Sequence, residues 1–165
     1  MLSKKLQDAL NDQITNELYS AYVYLAMSAH LTGANLPGFA RWMRLQSQEE
    51  YSHAMKIYDF VLQREGRVVL KSIDQPPAQY KSPLDVFQQA LKHEQKVTGL
   101  INRLYELAIK ENDYPTQIML QWFITEQVEE EHAAGDVVEQ LKMIGNEPTA
   151  LFLLDQQLGT REAES

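Results

Sequence analysis

The chain has 165 residues, 44% of them hydrophobic, and a formal net charge of −8. That length suits one domain with a sizeable core, and the acidic balance disfavours phosphate backbones while favouring cations as partners. With no cysteine, disulfides, thiolate metal sites and iron–sulfur clusters are excluded; with no apolar leader or span, a soluble cytoplasmic protein without membrane or nucleic-acid partners is expected.

Ser3 is suited to cap a first helix running from Lys4 to about Leu31, where Leu6, Leu10, Ile14, Ala21, Tyr24 and Leu31 recur near the helical period. The segment TGANLPG interrupts it, and a second helix is expected from Pro37 to Arg64. The following REGRVVLKSIDQPPAQYKS has no helical periodicity and is too long for a turn between neighbours. It reads as a crossover along the length of a bundle, with VVL as a short extended piece on the surface. Ser82 and Pro83 open a third helix, to about Asn112. A fourth is expected from Thr116 to Ile144, stopped by Gly145, and a short fifth over residues 148–158, followed by a loose tail, 159–165. Four long helices, each roughly 40 Å at 1.5 Å per residue, joined short–long–short, define an all-α fold. It is a single domain built as a four-helix bundle with one long crossover, the ferritin-like connectivity.

Each long helix carries polar residues on its apolar stripe, near its midpoint: Glu17 on the first, Gln46, Glu50 and His53 on the second, Glu94 on the third, Gln127 and Glu130 on the fourth. Antiparallel packing brings them to one level. Four buried carboxylates at one level require a cation or several protons, because desolvation and mutual repulsion both oppose their charged forms. Glu50 and His53, at i and i+3, project from one face. Carboxylates with about one imidazole suit iron or manganese, and zinc less specifically, and four carboxylates balance two divalent ions. A second acidic group, Glu49, Glu126, Glu129 and the shared Glu130, is either a third metal site or a solvated acidic face. Tyr24, two turns beyond Glu17, is placed to donate a hydrogen bond or an electron near the metals, or to pack in the core with its hydroxyl satisfied.

These residues sit in NDQITNELYSAYVY, QEEYSH, KHEQ and LQWFITEQVEEE. Together with the short fifth helix, they make the whole chain resemble the bacterial non-haem ferritins. The resemblance implies a 24-subunit hollow shell, a homo-oligomer in which each bundle is a ferroxidase. It would oxidise Fe(II) with O2 or H2O2 and store the ferric mineral inside. By resemblance, Glu17, Glu50 and His53 hold one iron. Glu94 and Glu130 hold the second, with Glu50 bridging and Gln127 nearby. Glu49, Glu126, Glu129 and Glu130 hold a third, and Tyr24 matches the tyrosine beside the centre. Bacterioferritins place a haem-ligating methionine where this chain has Tyr51 and a histidine where it has Glu130, so no haem is expected. The acidic entry pore of animal ferritins has no counterpart at Thr116, Gln117, Leu120 and Gln121.

Two other classes fit the bundle alone. One is a di-metal carboxylate oxidase acting on an organic substrate, which needs an apolar pocket beside the metals. The other is an interaction bundle without metal. The apolar fifth helix favours assembly, since Leu151, Phe152, Leu153 and Leu154 would otherwise form an exposed patch or need burial at the bundle end.

Overall fold

Five helices, α1 Lys4–Gly33, α2 Pro37–Gln63, α3 Pro83–Lys110, α4 Tyr114–Ile144 and α5 Pro148–Leu158, follow one another in the computed structural model, which describes residues 1–164. α1 packs along α2 and α3 along α4, and α1 also meets α3. The caps explain the starts. Ser3 accepts from the Leu6 amide, Ser82 from Asp85, and Glu147 from Thr149 and Ala150. α4 starts two residues before the expected Thr116, because the Asp113 side chain caps it by accepting from the Thr116 amide. Pro115 therefore sits in the first turn, where its missing N–H costs nothing. Asp113 also takes two hydrogen bonds, 2.8 and 2.9 Å, from Arg64 at the end of α2. Chain reversals use left-handed backbone at Asn35, Glu65, Asn112 and Gly145.

The crossover runs the length of the bundle. At one end Arg67 and Val69 amides donate to Gln7 and Asn11 of α1, and Lys71 pairs with Asp12. At the other, Tyr80 stacks edge-on against His30, near the end of α1. The expected extended piece at VVL forms no strand among the described residues. Val68 packs against the core, while Val69 and Leu70 are exposed.

The apolar core is in two parts. One gathers the second half of α1, the first halves of α2 and α3, the end of α4 and α5, around Tyr24, Phe39, Met43, Phe87 and Leu141. The other gathers the opposite halves around Leu6, Leu10, Ile57, Ile101, Leu120 and Phe123. Between them lies the level of Glu17, Glu50, His53, Glu94, Gln127 and Glu130, all buried.

α5 closes one end. Leu36 has no side chain with which to cap α2. Asp155, buried on α5, supplies the missing acceptor by taking a 2.9 Å hydrogen bond from the Phe39 amide. The approach requires Gly38, where a Cβ would lie 1.6 Å from the Asp155 carbonyl oxygen. Leu154 and Leu158 are buried in this contact, whereas Phe152 and Leu153 face outward, so the fifth helix is buried on one face and exposed on the other. The tail expected to be loose is tied down at Arg161, whose guanidinium reaches Trp42, Gln46 and Glu49. Ser165, the last residue of that expectation, lies outside the described residues.

Candidate metal centre

Glu50 stands at the middle of the polar level. One of its oxygens lies with donors of Glu17 and His53, and it also groups with Glu94 and Glu130; within each trio the atoms lie within 4.8 Å of one another. A third trio joins His53, Glu126 and Glu130. Four helices thus deliver donors to two adjoining points that share Glu50, and a third that shares His53 and Glu130.

The supporting hydrogen bonds are one-sided. Gln13 donates to Glu17 at 2.8 Å. Gln46 donates to Glu50 at 3.1 Å and to Glu130 at 2.6 Å. Tyr24 donates to Glu94, and Gln127 donates to the other Glu94 oxygen at 3.1 Å. Gln127 also donates to Thr98, whose hydroxyl donates to Glu131 at 2.8 Å. One oxygen of Glu17 and one of Glu50 remain buried without a hydrogen-bond partner. Buried carboxylate oxygens are almost always satisfied; here Glu17 and Glu50 are close enough to share a carboxyl proton, the one partner left to them. His53 Nδ1 lies 3.3 Å from that Glu50 oxygen and Nε2 3.9 Å from Glu126.

Burial dominates the protonation of the site. It pushes Glu17 up to about 7 and Glu130 up to about 9, and neighbouring carboxylates add to the rise at Glu130. Glu50 is raised well above the usual carboxylate range by burial and by Glu94, Glu17 and Glu130. Burial also raises Glu94, against the opposing hydrogen bonds from Tyr24 and Gln127. The same loss of solvent lowers His53 to about 4, with the Lys56 charge adding to it, so the imidazole is neutral near pH 7. The carboxyl cluster therefore holds protons near neutrality, and its histidine has a free lone pair.

The second acidic group comes together in part. Glu126 joins His53 and Glu130, but Glu129 is exposed, and Glu49 is ion-paired to Arg161 at 2.9 Å. Glu49 and Glu126 still influence one another and Glu130. Glu49, His53 and Trp122 line a cavity of about 580 Å³ with Lys56, Ala163 and Glu164. Trp122 packs edge-on against His53 and carries Lys56 over its ring.

Sequence reasoning placed Gln46 at the polar level without a role there and left Gln13, His93 and Arg161 out of it. Gln13 and Gln46 stand four residues before Glu17 and Glu50, a Gln-x-x-x-Glu spacing repeated on two helices that could have signalled them. His93 bonds Ser20 at 2.7 Å and sits beside Tyr19 and Tyr24. Arg161 has no sequence signal, because its partners lie over a hundred residues away.

Comparison with known proteins follows the same outline. The family profile described as Ferritin-like domain matches residues 7–144. The chain belongs to the ferritin family. It is 40% identical to a bacterial non-heme ferritin of Bacteroides fragilis over 98% of this chain and 100% of that one. A bacterial non-heme ferritin of Staphylococcus haemolyticus is also 40% identical, over 98% of this chain and 97% of its own. Among solved structures, an open-pore ferritin from the hyperthermophilic archaeon Archaeoglobus fulgidus superposes with a TM-score of 0.97 at 47% identity, covering 98% of this chain and all of that one. An engineered closed form of the same ferritin gives a TM-score of 0.98 at 46% identity, covering 99% and 100%. Among the described residues of this ferritin, no helix is long and apolar enough to cross a membrane.

Proposed function

We propose that this ferritin is a ferroxidase and iron store, oxidising Fe(II) at the centre around Glu50 and keeping the ferric product inside a shell of 24 copies. The observation that carries the reading is Glu50's membership of two adjoining donor trios, with its own oxygen and one of Glu17 given no donor by any neighbouring amide, hydroxyl or backbone N–H.

Glu17, Glu50 and His53 would receive one Fe(II), and Glu50, Glu94 and Glu130 the other. As the ions enter, the carboxyls release the protons that burial makes them hold. Four carboxylates then match the charge of two divalent ions. Glu50 contributes to both groups, the arrangement expected of a bridge between two metals. Tyr24 and Gln127 orient Glu94, Gln13 orients Glu17, and Gln46 orients Glu50 and Glu130 together. Hard oxygen donors favour Fe(III) over Fe(II), which supplies part of the driving force for oxidation. With dioxygen as oxidant, two Fe(II) give one electron each, and O2 takes both with two protons to leave as H2O2. With H2O2 as oxidant, the same two electrons and two protons yield two waters. The trio of His53, Glu126 and Glu130 shares donors with the centre and opens to the cavity bearing Glu49 and Trp122, a step along which ferric product would leave. The outward faces of Phe152 and Leu153 support assembly, as two large apolar side chains on one helix are covered in a shell.

The test is oxygen consumption by metal-free protein given Fe(II) in small increments. About one O2 per two Fe(II) in the first fast phase, as two-electron chemistry at a metal pair requires, supports the reading. Oxygen uptake no faster in the natural chain than in Glu50→Gln, from the first addition onward, would count against it.

A further inference from the structure

Arg161 lies beyond residues 7–144, the stretch matched to the family, yet its side chain reaches the margin of the metal centre. The guanidinium donates to the Trp42 carbonyl at 3.2 Å, to Gln46 Oε1 at 3.0 Å and to Glu49 Oε1 at 2.9 Å. Its flat face lies 4.4 Å over the Trp42 ring. The backbone of the same residue is held too, since Arg41 donates to its carbonyl and its amide donates to Leu158.

We propose that Arg161 is a positioning residue with two effects on the centre, one through Gln46 and one through Glu49. A guanidinium only donates, so it fixes the oxygen of the Gln46 amide toward the tail. The Gln46 NH2 must then face the centre, where it donates to Glu50 and Glu130. Those are the carboxylates shared between donor trios. Arg161 thereby sets the orientation of the one amide that spans both. The second effect is competition. Glu49 lines the cavity next to His53, and Glu126 shares the same electrostatic surroundings. A cation bound on that side of Glu130 would draw on the Glu49 carboxylate, but Arg161 already holds it by a charge-assisted bond. Recruiting Glu49 as a further ligand of a third ion at His53, Glu126 and Glu130 therefore requires Arg161 to loosen its hold on Oε1. The tail thereby weakens the third site relative to the first two. This inference rests on the proposed metal centre.

The test uses assembled, metal-free protein and Zn²⁺, which is redox-silent and takes the same donors. Calorimetry is run on the natural chain, Arg161→Gln and Arg161→Lys, with folding and assembly checked by circular dichroism and native mass. The natural chain binds two Zn²⁺ tightly and a third weakly, and Arg161→Gln binds the third about tenfold more tightly, the size of one lost charged hydrogen bond. Arg161→Lys, which keeps the charge without the planar fork, falls between. In a Trp122→Phe background, Trp42 is the single tryptophan. Its emission shifts as the third Zn²⁺ binds when Arg161 is present and does not shift in Arg161→Gln. Equal third-site affinity in all three proteins, or a Trp42 emission indifferent to the third ion, overturns the inference while leaving the two-ion centre intact. Failure of the natural chain to bind the first two ions refutes the metal centre itself, and the inference with it.

Discussion

Without metal, the centre should make the protein less stable as pH rises above neutrality. A carboxyl whose folded pKa is raised gives stability that is complete below its unfolded pKa and is lost as pH climbs through the folded value. Glu130 goes from 4.5 to about 9 on folding, mainly through burial. Between pH 6.5 and 9 the unfolded chain has ionised this group while the folded one still holds its proton. Each pH unit then costs about 1.36 kcal/mol, or about 3 kcal/mol over the window. Glu50 acts in the same direction, and Glu17 finishes near pH 7. Below this window His53 and His93, both lowered to about 4 by burial, give the opposite slope between 4 and 6.5, and they give none above it. Asp113, held low by Arg64, acts only in the acid range. For a chain of this size 1 kcal/mol is roughly 2–4 °C, so the melting midpoint of metal-free protein should fall by about 6–12 °C. Differential scanning calorimetry at both pH values, with and without saturating Zn²⁺, measures it. Glu130→Gln should flatten the fall, and Zn²⁺ should abolish it by replacing the protons. A midpoint that stays level or rises from pH 6.5 to 9 in metal-free protein would refute burial as the force that keeps Glu130 protonated.

Glu50→Gln should reduce tightly bound Zn²⁺ from about two per chain to one or none, since both trios lose a shared donor, while raising metal-free stability near pH 7 by removing the cost of keeping Glu50 protonated; calorimetric counting and a melt check both halves. Tyr24→Phe takes away a hydrogen bond that favours ionised Glu94, so the pH of half-maximal Zn²⁺ binding should move upward, and an unchanged midpoint would show that the hydroxyl does not act on Glu94. Asp155→Ala leaves the Phe39 amide of α2 buried without its acceptor and should cost about 1–3 kcal/mol, read by urea denaturation.

Helical period, caps and loop lengths made the four long helices and the crossover legible, because they rest on local spacing. α4 starts at Tyr114 rather than Thr116 because Asp113 caps it, and a cap competes through side-chain reach that spacing does not encode. The carboxylates at the centre were legible for a related reason: an ionisable residue at an apolar position stands out against its own helix. The amides were legible only in part. Gln46 and Gln127 stand on the polar stripes, but Gln13 does not, and the roles of Gln13 and Gln46 appear only when the helices place them against Glu17, Glu50 and Glu130. Glu49 and Glu129 look equivalent in an acidic run, yet rotation leaves Glu129 in solvent while the tail captures Glu49. Docking of α5 through Asp155 and Gly38 depends on a contact between residues far apart in sequence, where periodicity is silent.

The most direct test of the central claim is a stepwise Fe(II) titration of metal-free protein in air, following ferric absorbance after each addition and measuring native mass on the same sample. A ferroxidase and iron store should show fast oxidation that saturates at about two to three irons per chain, as a centre of two or three metals requires, in a large shell that then takes up far more iron. Saturation at about two irons in a small oligomer that stores nothing further would contradict storage and point to a di-metal oxidase, and the absence of a fast phase would contradict the ferroxidase centre.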